Sequence, residues 1–464
     1  MAMTRLVVVS NRVSSAGELA PGQEGAAVVG GLVSAVKTLM LRQQGLWMGW
    51  SGRTTTRRRS DPPTIELSGG PVELAAIDLT LDESNLYYLG FSNRTLWPLF
   101  HTFPERVDVR HDTFRAYQRV NERFATSLFP LLGKNDLVWV HDYQLILVGE
   151  YLRRLGWKGK IGFFLHIPFP SPDVFEMLPW ARDLLNGSLE YDLLGFHTQR
   201  YRQNFVDVMD REVGGIWNDP HYAVGDRTVK VRKFPTGIEP GTFHDAAMAS
   251  TTSVSTELSL PNDDDHKIVV GVDRLDYTKG IPERLKAFER MLDRHANMRG
   301  RVTLVQVTQP SRSRVREYIE EREKVERLVG QVNGRYSDAA WVPIRYLYRF
   351  FPQTQLARFY HDSHVGMITP LRDGMNLIAK EYIAAQGENP GVLVLSKFSG
   401  AAVELTEATQ VNPYDTDGTT KQLYQAFRMP HTKRVRRWRS QMNTVTESTA
   451  RDWGEGFSQE LQLS

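Results

Sequence analysis

The chain has 464 residues, 41% of them apolar, a net charge of +3 and no cysteine. That length exceeds one ordinary domain and supplies apolar material for two cores. The near-neutral charge excludes a general electrostatic case for nucleic acid, so any attraction for anions has to be local. Without cysteine there are neither disulfides nor thiolate metal sites, which fits a reducing compartment.

The start, MAMTRLVVVSNRV, has only four consecutive apolar residues, Leu6 to Val9. They are too few for a signal-peptide core and read as a strand over 6–10. No run reaches the ~18 apolar residues of a membrane span, so the expectation is a soluble, cytoplasmic protein with no membrane partner. Further strands are expected at 137–141, 161–166, 193–197, 267–272, 302–307, 364–369 and 391–396. Most are continuous apolar runs, as in parallel strands covered by helices on both faces. One intervening helix is clear: Pro282 opens it, and Leu285, Phe288 and Leu292 follow at helical spacing. FPTGIEPGTF (234–243), with a polar stretch after it, divides the chain near residue 240. The expected class is α/β: a Rossmann-like domain over 1–240, a second over 241–445, and a C-terminal helix within 446–464 returning onto the first. In open α/β sheets ligands sit outside the carboxyl ends of the strands. Two such halves facing each other would place a site in the cleft between them.

The residues at the strand ends fit that expectation. In TPLRDGMNLIAKEY (369–382) a strand ends near Thr369, Asn376 is a good N-cap and a helix runs from Leu377. The free N–H groups of its first turn and the helix dipole favour an anion. Gly374 permits close approach to the backbone, and Asp373 and Glu381 accept hydrogen bonds from sugar hydroxyls. For an isolated stretch, a capped helix with solvated charges is the simpler reading, but the design recurs. GVDRLDYTKG (271–280) puts Arg274 and Lys279 after a strand, where two cations suit a diphosphate; the alternative is a surface turn paired through Asp273 and Asp276. VSNRV places Arg12, VVGGL supplies Gly30 and Gly31, and VTQPSRSR places Arg312 and Arg314. WVHDYQL ends a strand on His141 and Asp142, and FFLHIPFP ends one on His166. Cations, carboxylates, histidines and aromatics together suggest a ligand with both phosphates and hydroxyls.

The segments SNR, GWSG, FSNRTLWP, HDYQL, FFLHIPFP, RLDYTKG and PLRDGMNLIAKEY occur in the order and spacing of one family. The chain, from about Arg5 to about Asp415, resembles the trehalose-6-phosphate synthases, retaining glycosyltransferases of family 20 and of the GT-B type. The resemblance implies two Rossmann-like domains and transfer of glucose from a nucleotide sugar, usually UDP-glucose, to glucose 6-phosphate. It implies that Gly30 and Gly31 approach the donor diphosphate while Arg274 and Lys279 neutralise it. Leu377, Ile378, Ala379 and Lys380 would offer backbone N–H groups, and Glu381 would hold the ribose hydroxyls. Asp373, Gly374, Met375, Asn376 and His166 would surround the donor glucose, with Phe351 near the base. Arg12, Tyr88 and Arg312 would hold the acceptor phosphate; Asp142, Trp97 and Trp50 would hold the acceptor sugar. Asp142, His166, Arg274, Lys279 and Asp373 are the implied catalytic set. Partners would be the small-molecule substrates and further copies of the chain in a homo-oligomer, with no cofactor and no metal. A transferase for another phosphorylated acceptor, or a non-catalytic sugar-phosphate sensor, is the alternative. Two departures from the family pattern bear on substrate preference: Gln144 stands where HDYHL has its second histidine, and VVGGL replaces an SAGGL-like stretch.

Other signals carry less. The DDD at 263–265 sits at the wrong strand end for a DxD metal motif. His361 and His364 are three apart but lack an evident third ligand. The basic runs RTTTRRR (53–59) and KRVRRWR (433–439) read as a loop and a solvated helix face rather than a nucleic-acid site.

Overall fold

The continuous apolar runs form the parallel strands of two sheets, one in each of two compact units. The computed structural model describes residues 5–13, 36, 40, 45–56, 64–67, 72–249, 252–261, 265–312 and 315–464. Unit 1 is Met1–Thr236 with Ala450–Ser464, and unit 2 is Gly237–Thr449.

The sheet of unit 1 is built from β1 (Leu6–Arg12), β2 (Leu46–Thr55), β3 (Thr64–Leu67), β4 (Glu73–Thr80), β5 (Leu137–His141), β6 (Ile161–Leu165), β7 (Leu193–Phe196), β8 (Ile216–Asn218), β9 (His221–Val224) and β10 (Arg227–Lys233). Their order is β3-β4-β2-β1-β5-β6-β7-β10-β9-β8. Neighbours from β4 through β10 pair in parallel; β3 and the β8–β9 extension pair antiparallel. β5, β6 and β7 are buried along their whole length, which is why they read as unbroken apolar runs. β10 was missed because it interleaves Arg227, Lys230 and Arg232 with two buried residues, Val229 and Val231.

One layer over this sheet comes from the far end of the chain. The helix Ala450–Gln462 turns Trp453, Phe457 and Leu461 inward at a spacing of four, and all three are buried. Phe457 stacks on Trp139 with centroids 4.3 Å apart, and Trp453 lies 4.9 Å from the same ring. Glycine makes this approach possible. A Cβ on Gly162 or Gly195 would stand 2.6 or 2.8 Å from the Phe457 ring.

Unit 2 has six strands, all parallel: β11 (Lys267–Arg274), β12 (Val302–Gln309), β13 (Ile344–Tyr348), β14 (Val365–Ile368), β15 (Val392–Ser396) and β16 (Thr409–Val411), in the order β13-β12-β11-β14-β15-β16. The helix anticipated at Pro282 spans Ile281–Arg294, with Leu285, Phe288 and Leu292 in the core. No helix among the described residues is long and apolar enough to cross a membrane.

A charged group ties three strand ends of unit 2 together. Arg284 and Asp273 have fully buried side chains and form an ion pair. Arg284 also donates from Nη1 to Gln306 Oε1 (2.9 Å) on β12 and from Nε to Thr369 Oγ1 (3.1 Å) just after β14. Asp273 lies on β11. Burial raises its pKa despite the guanidinium beside it. Removing the cation would leave a carboxylate buried without its partner, so Arg284→Met should cost about 3–5 kcal/mol. Arg284→Met combined with Asp273→Leu should recover most of that. Urea unfolding followed by fluorescence checks both; equal midpoints for the single variant and the wild type would show that the pair is not structural.

Candidate active site

In unit 2 the candidate residues gather at the carboxyl ends of β11 and β14. After β11 the chain makes a tight turn, Tyr277–Lys279, capped by Asp276, whose Oδ1 accepts from the Thr278 N–H at 3.0 Å. The loop after β14 docks on that turn through the Leu371 N–H, which donates to the Thr278 carbonyl at 2.8 Å. Lys279 and Asp373 thereby meet, with Nζ 2.6 Å from Oδ2 and both side chains largely buried. Asp373 also accepts from Asn376 Nδ2 (2.9 Å) and from the Gly374 N–H (2.9 Å).

Asn376 corrects one expectation. It stands at the N-cap of the helix Leu377–Ala385, but its side chain caps nothing. Its backbone is left-handed (φ 62°, ψ 80°), which turns the amide toward Asp373 and leaves Oδ1 buried without a partner. The first-turn N–H groups are therefore not covered by an Asx cap.

The surface-turn alternative for 271–280 also fails. Asp273 is spent on Arg284, and Asp276 on Arg312 and Tyr318. Arg274 is half-buried and has no ion-pair partner among the described residues. Arg312, which has a left-handed φ of 44°, is largely buried, with Nη1 3.1 Å from Asp276 Oδ2.

The other donor-side candidates divide. Met375 and Ala379 belong to the core, and Leu377 and Ile378 pack against it. Lys380 is fully buried with Nζ 2.8 Å from Glu404 Oε2, and desolvation lowers its pKa; only its backbone is available to a ligand. Phe351 is buried 5.2 Å from Phe359, with the Arg349 guanidinium 4.5 Å over its ring. Glu381 accepts from the Tyr360 hydroxyl at 3.3 Å, and burial pushes its pKa up to about 7. Gly30, Gly31 and Arg314 lie outside the described residues.

In unit 1, Arg12 ends β1 opposite Trp50 of β2. Its exposed side chain lies over Gly52, which has φ 84°; a Cβ there would stand 2.6 Å from the Arg12 Nη2. Trp50 donates to the Arg53 carbonyl (2.7 Å), and its ring meets Tyr88 at 5.6 Å. Tyr88 rides on a π-helical stretch, Ser84–Leu96, a wide winding that often marks functional sites. The motif residues bond one another to hold it. Asn93 donates to the Tyr88 carbonyl (2.7 Å), Tyr143 to Asn93 Oδ1 (2.9 Å) and Tyr87 to Asn11 Oδ1 (2.7 Å). Trp97 is buried 5.6 Å from the Tyr143 ring. Gln144 is buried too, and its carbonyl accepts from Asn121. Asp142 has φ 74°, a conformation few non-glycine residues adopt, and its Oδ1 accepts from the His166 N–H at 3.1 Å.

Sequence reasoning missed the surroundings of His166. His141 Nδ1 lies 3.0 Å from His166 Nε2, and His197 Nε2 lies 3.1 Å from the His166 carbonyl. Thr236 Oγ1 is 3.2 Å from His197 Nδ1. These residues sit far apart in the chain; His141 and His166 were legible singly as strand ends, but nothing in the sequence paired them or brought in His197 and Thr236.

Among the described residues no cluster of three His, Cys, Asp or Glu is placed to hold a metal. His361 bonds Asp362 instead.

The model of glycosyltransferase family 20 matches residues 4–463. A trehalose-6-phosphate synthase from Enterobacter sp. (strain 638) is 40% identical over 463 residues, 99% of this chain and 95% of that protein. The structure is similar to an alpha,alpha-trehalose-phosphate synthase (UDP-forming) from Burkholderia vietnamiensis: TM-score 0.94, 39% identity, covering 100% of this chain and 99% of that one. It is also similar to the UDP-forming synthase from Burkholderia xenovorans in complex with glucose-6-phosphate: TM-score 0.93, 39% identity, covering 99% of this chain and 100% of that one.

Tyr360 supplies the hydrogen bond that favours the ionised form of Glu381. Tyr360→Phe should therefore raise the Glu381 pKa further above about 7. A carbon-13 NMR titration of the labelled carboxyl checks the direction; an unchanged or lowered value would show that the hydroxyl is not its partner.

Proposed function

Because this chain belongs to glycosyltransferase family 20, we propose that it transfers glucose from UDP-glucose to glucose 6-phosphate, with retention, releasing UDP and giving trehalose 6-phosphate. The observation that carries this reading is the strand-end cluster of unit 2: Lys279 locked to Asp373, Asn376 turned onto the same carboxylate, Arg274 with no ion-pair partner among the described residues and a helix whose first turn lacks a side-chain cap. Arg274, Lys279 and the N–H groups at Leu377 and Ile378 take the diphosphate charge that grows as the sugar departs. Glu381 takes the ribose hydroxyls. Arg12 and Tyr88, with Trp50 beside them, take the acceptor phosphate and sugar.

Retention by two displacements needs a free carboxylate beneath the anomeric carbon. Asp373 is poorly placed for this, because it already accepts from Lys279, Asn376 and Gly374. Asp142 already accepts from the His166 backbone. A same-face route fits better. The acceptor hydroxyl attacks the anomeric carbon as its bond to the diphosphate breaks, and a phosphate oxygen of the departing UDP receives the hydroxyl proton. Product NMR from UDP-glucose and glucose 6-phosphate tests this. Trehalose 6-phosphate with both anomeric centres α is expected; an inverted donor centre, or a glucosylated carboxylate trapped in the intact protein, would overturn it.

The donor side makes a pH prediction. Ribose hydroxyls are best held by ionised Glu381, whose pKa, raised by burial to about 7, means that binding has to displace a proton below that pH. UDP affinity relative to Glu381→Gln should rise by up to roughly tenfold between about pH 6 and about pH 8. The variant serves as the reference because it cancels the titration of UDP itself. A ratio that stays flat in calorimetry would remove Glu381 from the ribose site.

The acceptor side separates two arginines. Arg12 has no carboxylate partner among the described residues, whereas Arg312 already shares Asp276. Arg12→Ala should lower kcat/KM for glucose 6-phosphate by roughly thirtyfold or more, and Arg312→Ala by less. Use of free glucose should hardly change with Arg12→Ala. Equal losses on both acceptors would make Arg12 structural.

A further inference from the structure

The histidine cluster in unit 1 contains a choice of proton position that its surroundings decide. His141 ends β5 and is fully buried; His166 follows the neighbouring strand β6. Two neutral imidazoles joined by one hydrogen bond have two arrangements. Either His141 Nδ1–H donates to His166 Nε2, or His166 Nε2–H donates to His141 Nδ1. A neutral imidazole carries one N–H, so the choice fixes the outer nitrogen of each ring. In the first arrangement His141 Nε2 is a bare lone pair and His166 carries its proton on Nδ1. In the second, His141 Nε2 carries the proton and His166 Nδ1 is bare.

His141 Nε2 is buried and has no hydrogen-bond partner among the described residues. Protonated, it would be a buried donor with no acceptor. Besides His166, two indoles have ring centroids near that of His141: Trp139 at 4.5 Å and Trp453, from the C-terminal helix, at 6.1 Å. The Nε1 of each indole is likewise buried without an acceptor among the described residues. The second arrangement would add a third unsatisfied buried N–H beside those two indoles. The first leaves a bare lone pair there instead, and an unpaired buried acceptor is tolerated better than an unpaired buried N–H. Burial holds the His141 pKa down to about 3, and burial with the two neighbouring imidazoles holds His166 well below its usual value. Neither ring gains a second proton near neutrality.

The third histidine has no such choice. The His166 carbonyl only accepts, so His197 donates from Nε2, and its Nδ1 accepts from Thr236. His166 is therefore held at its N–H by Asp142, at its carbonyl by His197 and at its ring by His141. Its Nδ1 has no partner among the described residues. We propose that His141, enclosed by Trp139 and Trp453, is a positioning residue that fixes His166 as the Nδ1–H tautomer, so that His166 meets the donor glucose as a hydrogen-bond donor. The second half of that statement rests on the proposed function; the first half does not.

The test uses the full chain labelled with nitrogen-15 histidine. Long-range proton–nitrogen spectra at neutral pH report which nitrogen of each ring carries hydrogen, with assignment from His141→Asn, His166→Asn and His197→Asn. His141 and His166 should both appear as Nδ1–H and His197 as Nε2–H. His166 protonated at Nε2 would overturn the proposal. Kinetics then separate positioning from packing. His141→Leu removes the donor and should lower kcat roughly tenfold with UDP affinity unchanged. His141→Asn returns an N–H near the Nδ1 position and should recover most of that loss. Asn no better than Leu would overturn the relay. Should the Leu variant fail to fold, the wild-type spectra still decide the tautomer. Full activity in His166→Ala, with the Nδ1–H tautomer seen in the wild type, would instead remove His166 from the donor site and leave the relay standing.

Discussion

The buried pair of Arg284 and Asp273 is the constraint on which the strand-end cluster of unit 2 depends. Parallel strands leave their carboxyl ends to be arranged by whatever lies between them. Hydrophobic packing alone, being non-directional, does not fix the position of each strand end to a fraction of an ångström. A guanidinium with three bonded partners does. It reaches Asp273 on β11, Gln306 on β12 and Thr369 beyond β14. From two of those strand ends come Arg274, the Tyr277–Lys279 turn and the loop that carries Asp373. Charge is expensive in a core, and a buried ion pair is weak evidence for added stability. Its use here is directional.

The same logic runs through unit 1 with neutral groups. Asn11, Asn93 and Tyr143 come from different motifs and, with Tyr87, bond one another. They brace the π-helical stretch that presents Tyr88. Asp142, His141 and His197 grip the backbone and ring of His166 in the same manner. Motif residues thus divide into a few that reach outward and a larger number that hold them. A site on strand ends and short turns needs that second group, because its own backbone has little regular structure to keep it in place.

Electrostatics sort the strand-end cations. Lys279 is tied to Asp373 and Arg312 to Asp276, whereas Arg274 and Arg12 have no carboxylate among the described residues. A cation already paired offers a ligand less than one still awaiting an anion. The difference came from the neighbours of each residue in space, none of which is adjacent in the chain.

The sequence by itself determined the α/β class, the parallel core strands and the division of chemistry among strand ends. Those follow from local periodicity and from which residue types interrupt an apolar run. β5, β6, β11 and β14 were legible because each is buried on both faces; β10 was not, because its charged residues alternate with only two buried valines. The motifs of 271–280 and 369–382 were legible as strand-end loops because each follows an apolar run and precedes a helical one. What only the tertiary structure decided was partnership. Asp273 pairs with Arg284, eleven residues on in the next helix, and Asp276 with Arg312, thirty-six residues on. Asn376 turned from a cap into a ligand of Asp373 because its backbone went left-handed. Lys380 faced inward to Glu404. The tautomer of His166 depends on two tryptophans, one of them in the last helix of the chain. Hydrogen bonds and ion pairs act over a few ångströms in space, whatever the separation along the chain, so pattern reading finds the groups and folding assigns their partners.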